Sequence, residues 1–311
     1  MNFLKDIIRG DKLAIARAIT QVENDSGTSI LKQIFSYTGR AYQIGITGPP
    51  GAGKSTLVNA IAKKLLEKKH KIGIIAVDPT SPFTGGALLG DRIRMNDLAL
   101  HENIFIRSMA TRGSLGGLSR KTKDAALILD AAGMDYILIE TVGVGQVEID
   151  IAQVCDTKIV VFVPESGDSI QTMKAGLLEI ADIVVVNKGD REGSDSLLME
   201  LKFAFDLKPR LSSWRIPILK TIATDDKGID ELVDTLIDHK RYLNDSGAIK
   251  QIRKQRIITL IHELIETEIK RRLRESVIND DELDRFVEEI NKKKTNPYKV
   301  AKKIIKTLLR G

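Results

Sequence analysis

Cysteine is nearly absent: Cys155 is the single one among 311 residues, so no internal disulfide can form, and a reducing, cytoplasmic setting is the expectation. Proline is scarce as well, and 8 Pro with 24 Gly exclude collagen-like and low-complexity chains. Long apolar runs are missing. Runs such as residues 159–163 and 183–186 fall far short of the ~20 residues that cross a bilayer, so no membrane span is expected. The opening MNFLKDIIRGDK lacks the apolar core of a signal peptide. What is present is a globular balance of 42% hydrophobic and 29% charged residues, with length enough for two domains or one large α/β domain bearing helical additions.

A net charge of +6 suggests a polyanion partner until it is divided along the chain. From residue 250 onward there are 17 Lys and Arg against 10 Asp and Glu, which leaves 31 against 32 for residues 1–249. The body is neutral and the tail is basic. Acids and bases interleave in most of that tail, as on a solvated helix surface. Lys292 to Lys294, Lys302, Lys303 and Lys306 could contact phosphates, but Phe286 and Tyr298 are the only aromatics there to interleave with bases, which argues against nucleic acid.

From residue 41 short β-branched runs alternate with helix-period segments, the mark of βαβ units and a mostly parallel sheet. The expected strands are residues 42–47, 71–78, 103–107, 136–140, 157–163, 183–187 and 216–220. The expected helices are residues 54–69, 119–132, 170–180, 196–205 and 229–243. Residues 1–40 read as an N-terminal helical extension, 41–245 as the sheet domain, and 246–311 as a C-terminal helical arm. In that arm Ile257, Ile261, Ile265, Ile269 and Leu273 recur every four residues, a stripe that needs a partner surface, either at home or on a second copy.

Directly after the first strand stand Gly48, Pro49, Pro50, Gly51, Ala52, Gly53, Lys54, Ser55 and Thr56, a complete GxxxxGK[ST] between a strand and a helix. Its glycines let successive N–H groups turn inward around a β-phosphate, and the helix start adds its positive dipole end. Lys54 then bridges β- and γ-phosphates, and the Ser55 hydroxyl is placed for Mg²⁺. The fold class is therefore α/β, a P-loop NTPase with helical extensions at both ends.

The base is read from Asn187-Lys188-Gly189-Asp190, an NKxD at the end of an apolar strand. A carboxylate only accepts hydrogen bonds; guanine offers two adjacent donors, N1–H and the 2-amino group, and adenine offers neither, so Asp190 selects GTP and GDP. Asn187 would pin the base and the loop, and the stem of Lys188 would cover the ring. Mg²⁺ also needs acidic partners, and Asp78, Asp91 and Glu140 stand at strand ends or in loops. Glu140 opens Glu140-Thr141-Val142-Gly143, where the Gly143 N–H can meet the γ-phosphate and sense its presence. Arg92, Arg94, Arg107 and Arg112 all neighbour the right loops, and spacing does not choose an arginine finger among them. Slow intrinsic hydrolysis, accelerated by a partner that orders the loops, is the expectation.

Taken together, DKLAIARAITQVE at residues 11–23, GPPGAGKST, VDPTSPFTGGALLGDRIRM, MATRGSLGGLS, IETVGVGQVEID and NKGD resemble, in order, the MeaB/ArgK-type G proteins, whose human relative is the methylmalonic aciduria type A protein. The resemblance covers most of residues 1–240 and is weakest over the last 60. It implies a GTPase chaperone for an adenosylcobalamin-dependent acyl-CoA mutase, most typically methylmalonyl-CoA mutase, which gates cofactor loading and protects the radical enzyme. It places Lys54 and Ser55 in the phosphate loop, Asp78, Asp91 and Glu140 around Mg²⁺, and Asp190 on guanine, with Lys54, Asp91 and Glu140 in catalysis. It further implies that Lys174, in a mobile loop, pairs with Glu140 in one nucleotide state, and that a homodimer forms through the C-terminal helices. Two positions depart from the family: Val147 stands where Ser is usual, and Thr221-Ile222-Ala223 replaces the usual Thr-Ser-Ala that backs guanine.

Three rival functions have weaker support. A nickel-inserting GTPase needs clustered thiolates or imidazoles, whereas Cys155, His70, His101, His239 and His262 are scattered. A signal-sequence targeting GTPase uses a Met-rich surface, and 6 Met are spread thinly. A transport-associated ATPase or kinase would prefer ATP, against Asp190.

Overall fold

In the computed structural model the described residues are 3–78, 96–110, 120–141, 147–164, 176–207, 213–276 and 280–308. The chain divides into two compact units, residues 1–249 and 250–311.

The first unit is built around β1 (Tyr42–Thr47), six consecutive buried residues. A strand buried on both faces has no polar side to show, and β1 accordingly sits in mid-sheet, flanked by β4 (Tyr136–Glu140) and β5 (Thr157–Phe162). Outward lie β2 (Ile72–Asp78) and β3 (Ile104–Ala110) on one side, β6 (Ile183–Val186) and β7 (Ile218–Lys220) on the other. The seven strands run in the order β3-β2-β4-β1-β5-β6-β7, and every pairing is parallel. All seven expected strands are present, with ends within three residues of the sequence estimate.

The helices α1 (Phe3–Ile8), α2 (Lys12–Glu23) and α3 (Thr28–Ile34) belong to this same unit. Asp11 caps α2 by accepting from the Ala14 N–H at 2.7 Å, and Ala14, Ile15, Ala18, Ile19 and Val22 then fall on one buried face. That face shares a core with Ala125, Ile128 and Leu129 of α6 (Arg120–Ala131), reached past the short α5 (Asn96–Ala99) and α4 (Lys54–Glu67), and with Ile75, Val77, Ile137 and Ile139 of the sheet. The junction to β1 is held by the buried Asp130, whose carboxylate accepts the N–H groups of Gly39, Arg40 and Ala41 at 2.6, 3.1 and 2.9 Å.

A further helix, α7 (Val147–Val154), was not among the expected ones and brings Ile151, Val154 and Cys155 into that core. Then come α8 (Ser194–Asp206), against β6 and β7, and α9 (Ile229–Asp245), which packs beside α4 on the opposite sheet face. There the buried His239 Nδ1 lies 2.8 Å from Thr157 Oγ1, which lies 2.5 Å from Tyr42 Oη. Burial pushes the His239 pKa down and the Tyr42 pKa up, because the interior disfavours either charge.

The second unit follows from α10 (Ala248–Ser276) and holds α11 (Asp280–Asn291) and α12 (Pro297–Leu308). Phe286 and Val300 are its buried hydrophobic residues among the described ones, with Lys303 Nζ 5.1 Å from the Phe286 ring centroid. Ile257, Ile261, Ile265 and Ile269 are between 44% and 53% exposed. No helix among the described residues is long and apolar enough to cross a membrane.

Candidate nucleotide site

The carboxyl ends of β1, β4, β6 and β7 bring the sequence motifs to one edge, and β1 lies where the strand order reverses, the crevice in which open α/β sheets bind ligands. The chain leaves β1 at Thr47 and turns through residues 48–53 into α4. Gly53 takes φ 80° at the start of α4, where no side chain caps the helix, so the first N–H groups of α4 remain directed at the loop mouth. A methyl at Gly53 would also stand 2.5 Å from Asn187 Nδ2, so glycine is required twice over. Lys54 is 6% exposed, and its ammonium donates to the Gly48 and Pro49 carbonyls at 2.9 and 3.1 Å, which folds the side chain over the loop.

Beside it, β4 ends in Glu140. In the parallel register Glu140 lies level with Ile46 of β1 and Ala76 of β2, on the parity that faces α4. Ser55 Oγ donates to Glu140 Oε1 at 2.7 Å, both residues being buried. This hydroxyl and carboxylate form an all-oxygen donor pair, the chemistry that suits a hard cation such as Mg²⁺ rather than zinc or nickel. Thr141 continues the edge by donating its Oγ1–H to Thr47 Oγ1 at 3.0 Å.

On the other flank, Asn187 is 2% exposed and ties three segments together. Its Nδ2 donates to the Ala52 carbonyl at 2.9 Å, and its Oδ1 accepts from Thr221 Oγ1 at 3.1 Å and the Ala223 N–H at 3.2 Å. A cavity of about 130 Å³ opens there. Gly53 and Thr56 line it from the phosphate-loop side, Asn187, Lys188 and Asp190 from the loop after β6, and Ile222 and Ala223 from the loop after β7. Arg191 and Thr224 also line it; each directly follows a sequence-identified motif, and that adjacency was the available signal.

The structure therefore brings together Gly53, Lys54, Ser55 and Glu140 at one end, and Asn187, Lys188, Asp190, Thr221, Ile222 and Ala223 at the other. Asp78 closes β2 level with Ala110 of β3, two residues beyond the position that meets Glu140. Asp91, Gly143 and Lys174 lie outside the described residues, as do Arg92, Arg94 and Arg112. Arg107 is removed from the arginine-finger candidates: it shares parity with Phe105 and Met109 on the face covered by the N-terminal helices, and its guanidinium pairs with Glu23 and donates to Thr20 Oγ1 at 3.1 Å.

The family model described as methylmalonyl Co-A mutase-associated GTPase MeaB matches residues 15–277. A putative GTPase of Pyrococcus abyssi is 49% identical over 97% of this chain and 95% of its own length. The GTPase ArgK of Escherichia coli is 36% identical over 91% of this chain and 87% of its own. The mitochondrial methylmalonic aciduria type A homolog of Caenorhabditis elegans is 32% identical over 82% and 69%. Among solved structures, one titled LAO/AO transport system kinase superposes with a TM-score of 0.73 at 27% identity, covering 99% of this chain and 96% of that one.

Proposed function

The chain belongs to this family of GTPases, and from that premise we propose that it is a GTP-gated chaperone of an adenosylcobalamin-dependent acyl-CoA mutase, most typically methylmalonyl-CoA mutase, working in the cytoplasm as a homodimer joined through its C-terminal helices. The observation that carries the nucleotide half of this proposal is the Asn187 brace. It joins the phosphate loop, the Asp190 turn and the Ala223 turn, so the phosphate and base ends of one ligand are held at a fixed spacing. Asp190, on the cavity wall, accepts from the N1–H and 2-amino group of guanine. Ala223 and Ile222 back the ring, and the Lys188 stem covers it.

At the phosphate end, residues 48–53 and the start of α4 supply N–H groups, Lys54 supplies positive charge, and Gly143 contacts the γ-phosphate. Mg²⁺ would be held by Ser55 and, directly or through water, by Glu140, Asp78 and Asp91; when bound it neutralises charge on the β- and γ-phosphates. The bond from Ser55 to Glu140 means the carboxylate is already oriented for this work. Lys174 pairing with Glu140 in one nucleotide state would couple that carboxylate to the partner.

The family description names the mutase, and the relative from Caenorhabditis elegans is named for methylmalonic aciduria; these support the choice of client. Intrinsic hydrolysis is slow in this reading, because the sequence spacing of Arg92, Arg94 and Arg112 singles out no arginine finger. The test is single-turnover GTP hydrolysis by the full-length protein, alone and with adenosylcobalamin-dependent acyl-CoA mutases. Acceleration by one mutase, with formation of a complex, is the expected result. No acceleration by any of them would overturn the chaperone role and leave the GTPase standing.

A further inference from the structure

The side chain that reads the base sits on a turn, and a turn must be held from behind if its carboxylate is to meet two donors at once. The Asp190 turn is strained: Lys188 adopts φ 55°, a left-handed conformation costly to a residue with a Cβ. Two contacts hold it on the β7 side. The Gly189 N–H donates to the Thr221 carbonyl at 2.9 Å, and the Lys220 stem lies so close over Gly189 that an added Cβ would come within 2.7 Å of it. The first turn of α8 holds it on the other side. Ser194, 3% exposed, donates its hydroxyl to the Gly189 carbonyl at 2.9 Å, and its neighbour Asp195 makes a 2.7 Å ion pair with Lys220.

The Gly189 carbonyl and the Asp190 nitrogen belong to one rigid peptide plane, so whatever fixes the oxygen also fixes the start of Asp190. We infer that Ser194 is a positioning residue for base selection: its hydroxyl locks the Gly189–Asp190 peptide plane and thereby aims the Asp190 carboxylate at the guanine N1–H and 2-amino pair. Ser194 is not among the residues that line the cavity and acts through the turn. The Asp195–Lys220 pair is a secondary latch. Asp195 is 82% exposed there, and an exposed ion pair contributes little. This inference rests on the guanine assignment made above.

Hypoxanthine keeps N1–H and lacks the 2-amino group, so the ratio of GDP to IDP affinity reports where the Asp190 carboxylate points, independently of how tightly phosphates bind. The experiment is calorimetry of GDP, IDP and ADP on the full chain, as wild type, Ser194→Ala, Ser194→Thr and Lys220→Met, alongside thermal unfolding. Ser194→Ala is expected to weaken GDP by roughly 5- to 10-fold, the size of one misplaced hydrogen bond, and to weaken IDP less, so that the ratio shrinks. Ser194→Thr, which keeps the hydroxyl, restores the ratio, and Lys220→Met moves it less than Ser194→Ala. A Ser194→Ala protein that melts earlier but keeps the wild-type ratio would overturn the positioning role alone, as would a Lys220→Met effect exceeding that of Ser194→Ala. Wild-type protein that binds ADP as well as GDP would overturn the guanine assignment and this inference with it.

Discussion

Helices α2 and α10 both carry an apolar stripe at helical spacing, and they meet opposite environments. In α2 the stripe is fully buried, with Ile15 and Ile19 at 0% exposure in a core shared with α6 and the sheet. In α10 the isoleucines at 257, 261, 265 and 269 are about half exposed. Periodicity states only that a face is apolar; what covers the face depends on elements brought in from elsewhere in the chain. For α2 those elements are named and present, so the N-terminal helices are part of the sheet unit's core. For α10 the proposed cover is a second copy.

This contrast sets the order of expected effects. Ile19→Ala opens a cavity in a closed core and should cost ~2 to 5 kcal/mol by denaturant unfolding; a loss below about 0.5 kcal/mol would mean α2 is a detachable appendage. Asp130→Ala leaves the Gly39, Arg40 and Ala41 N–H groups without their carboxylate and should cost ~1 to 3 kcal/mol, because it unfastens the same helices from β1. The opposite sheet face offers a pH test. The folded pKa of His239 lies below its ordinary value of about 6.5, chiefly through burial, with Asp182 and Asp156 raising it and Lys158 lowering it. The unfolded chain therefore takes up a proton first as pH falls, so this contribution to stability is complete above about pH 6.5 and is lost progressively below it. The Tm should drop between about pH 7 and pH 5.5, and His239→Gln should flatten that drop; an unchanged slope would count against a neutral buried imidazole. The smallest effect on folding is expected from Ile261→Ser, less than about 0.5 kcal/mol on the transition of the first unit. Its readout is mass in solution: a shift from dimer toward monomer supports α10 as the joining face, and an unchanged mass removes α10 from that role.

The fold was legible because buried parallel strands write themselves as short β-branched runs, and each phosphate or base motif is contiguous. Less legible were features that depend on distance along the chain. The Asn187–Ala52 bond joins residues 135 apart, and no local pattern announces it. Helix α7 is hard to read from sequence because it directly follows the loop motif of residues 140–146, although Ile151 and Val154 anchor it in the core. Arg107 neighbours the loop arginines in sequence, but in the fold it pairs with Glu23. Strand parity puts it on the side of Phe105 and Met109, and only the fold shows that the N-terminal helices cover that side. Ser194 had no signal at all, since a serine at a helix start is ordinary.

If one carboxylate on the wall of the cavity chooses the nucleotide, calorimetry of GDP and ADP on wild-type and Asp190→Ala protein will show it. Wild type is expected to bind GDP in clear preference to ADP, and Asp190→Ala to lose ~2 kcal/mol or more of GDP affinity because two guanine donors are stranded. Equal binding of the two nucleotides, or GDP affinity untouched by the substitution, would contradict it.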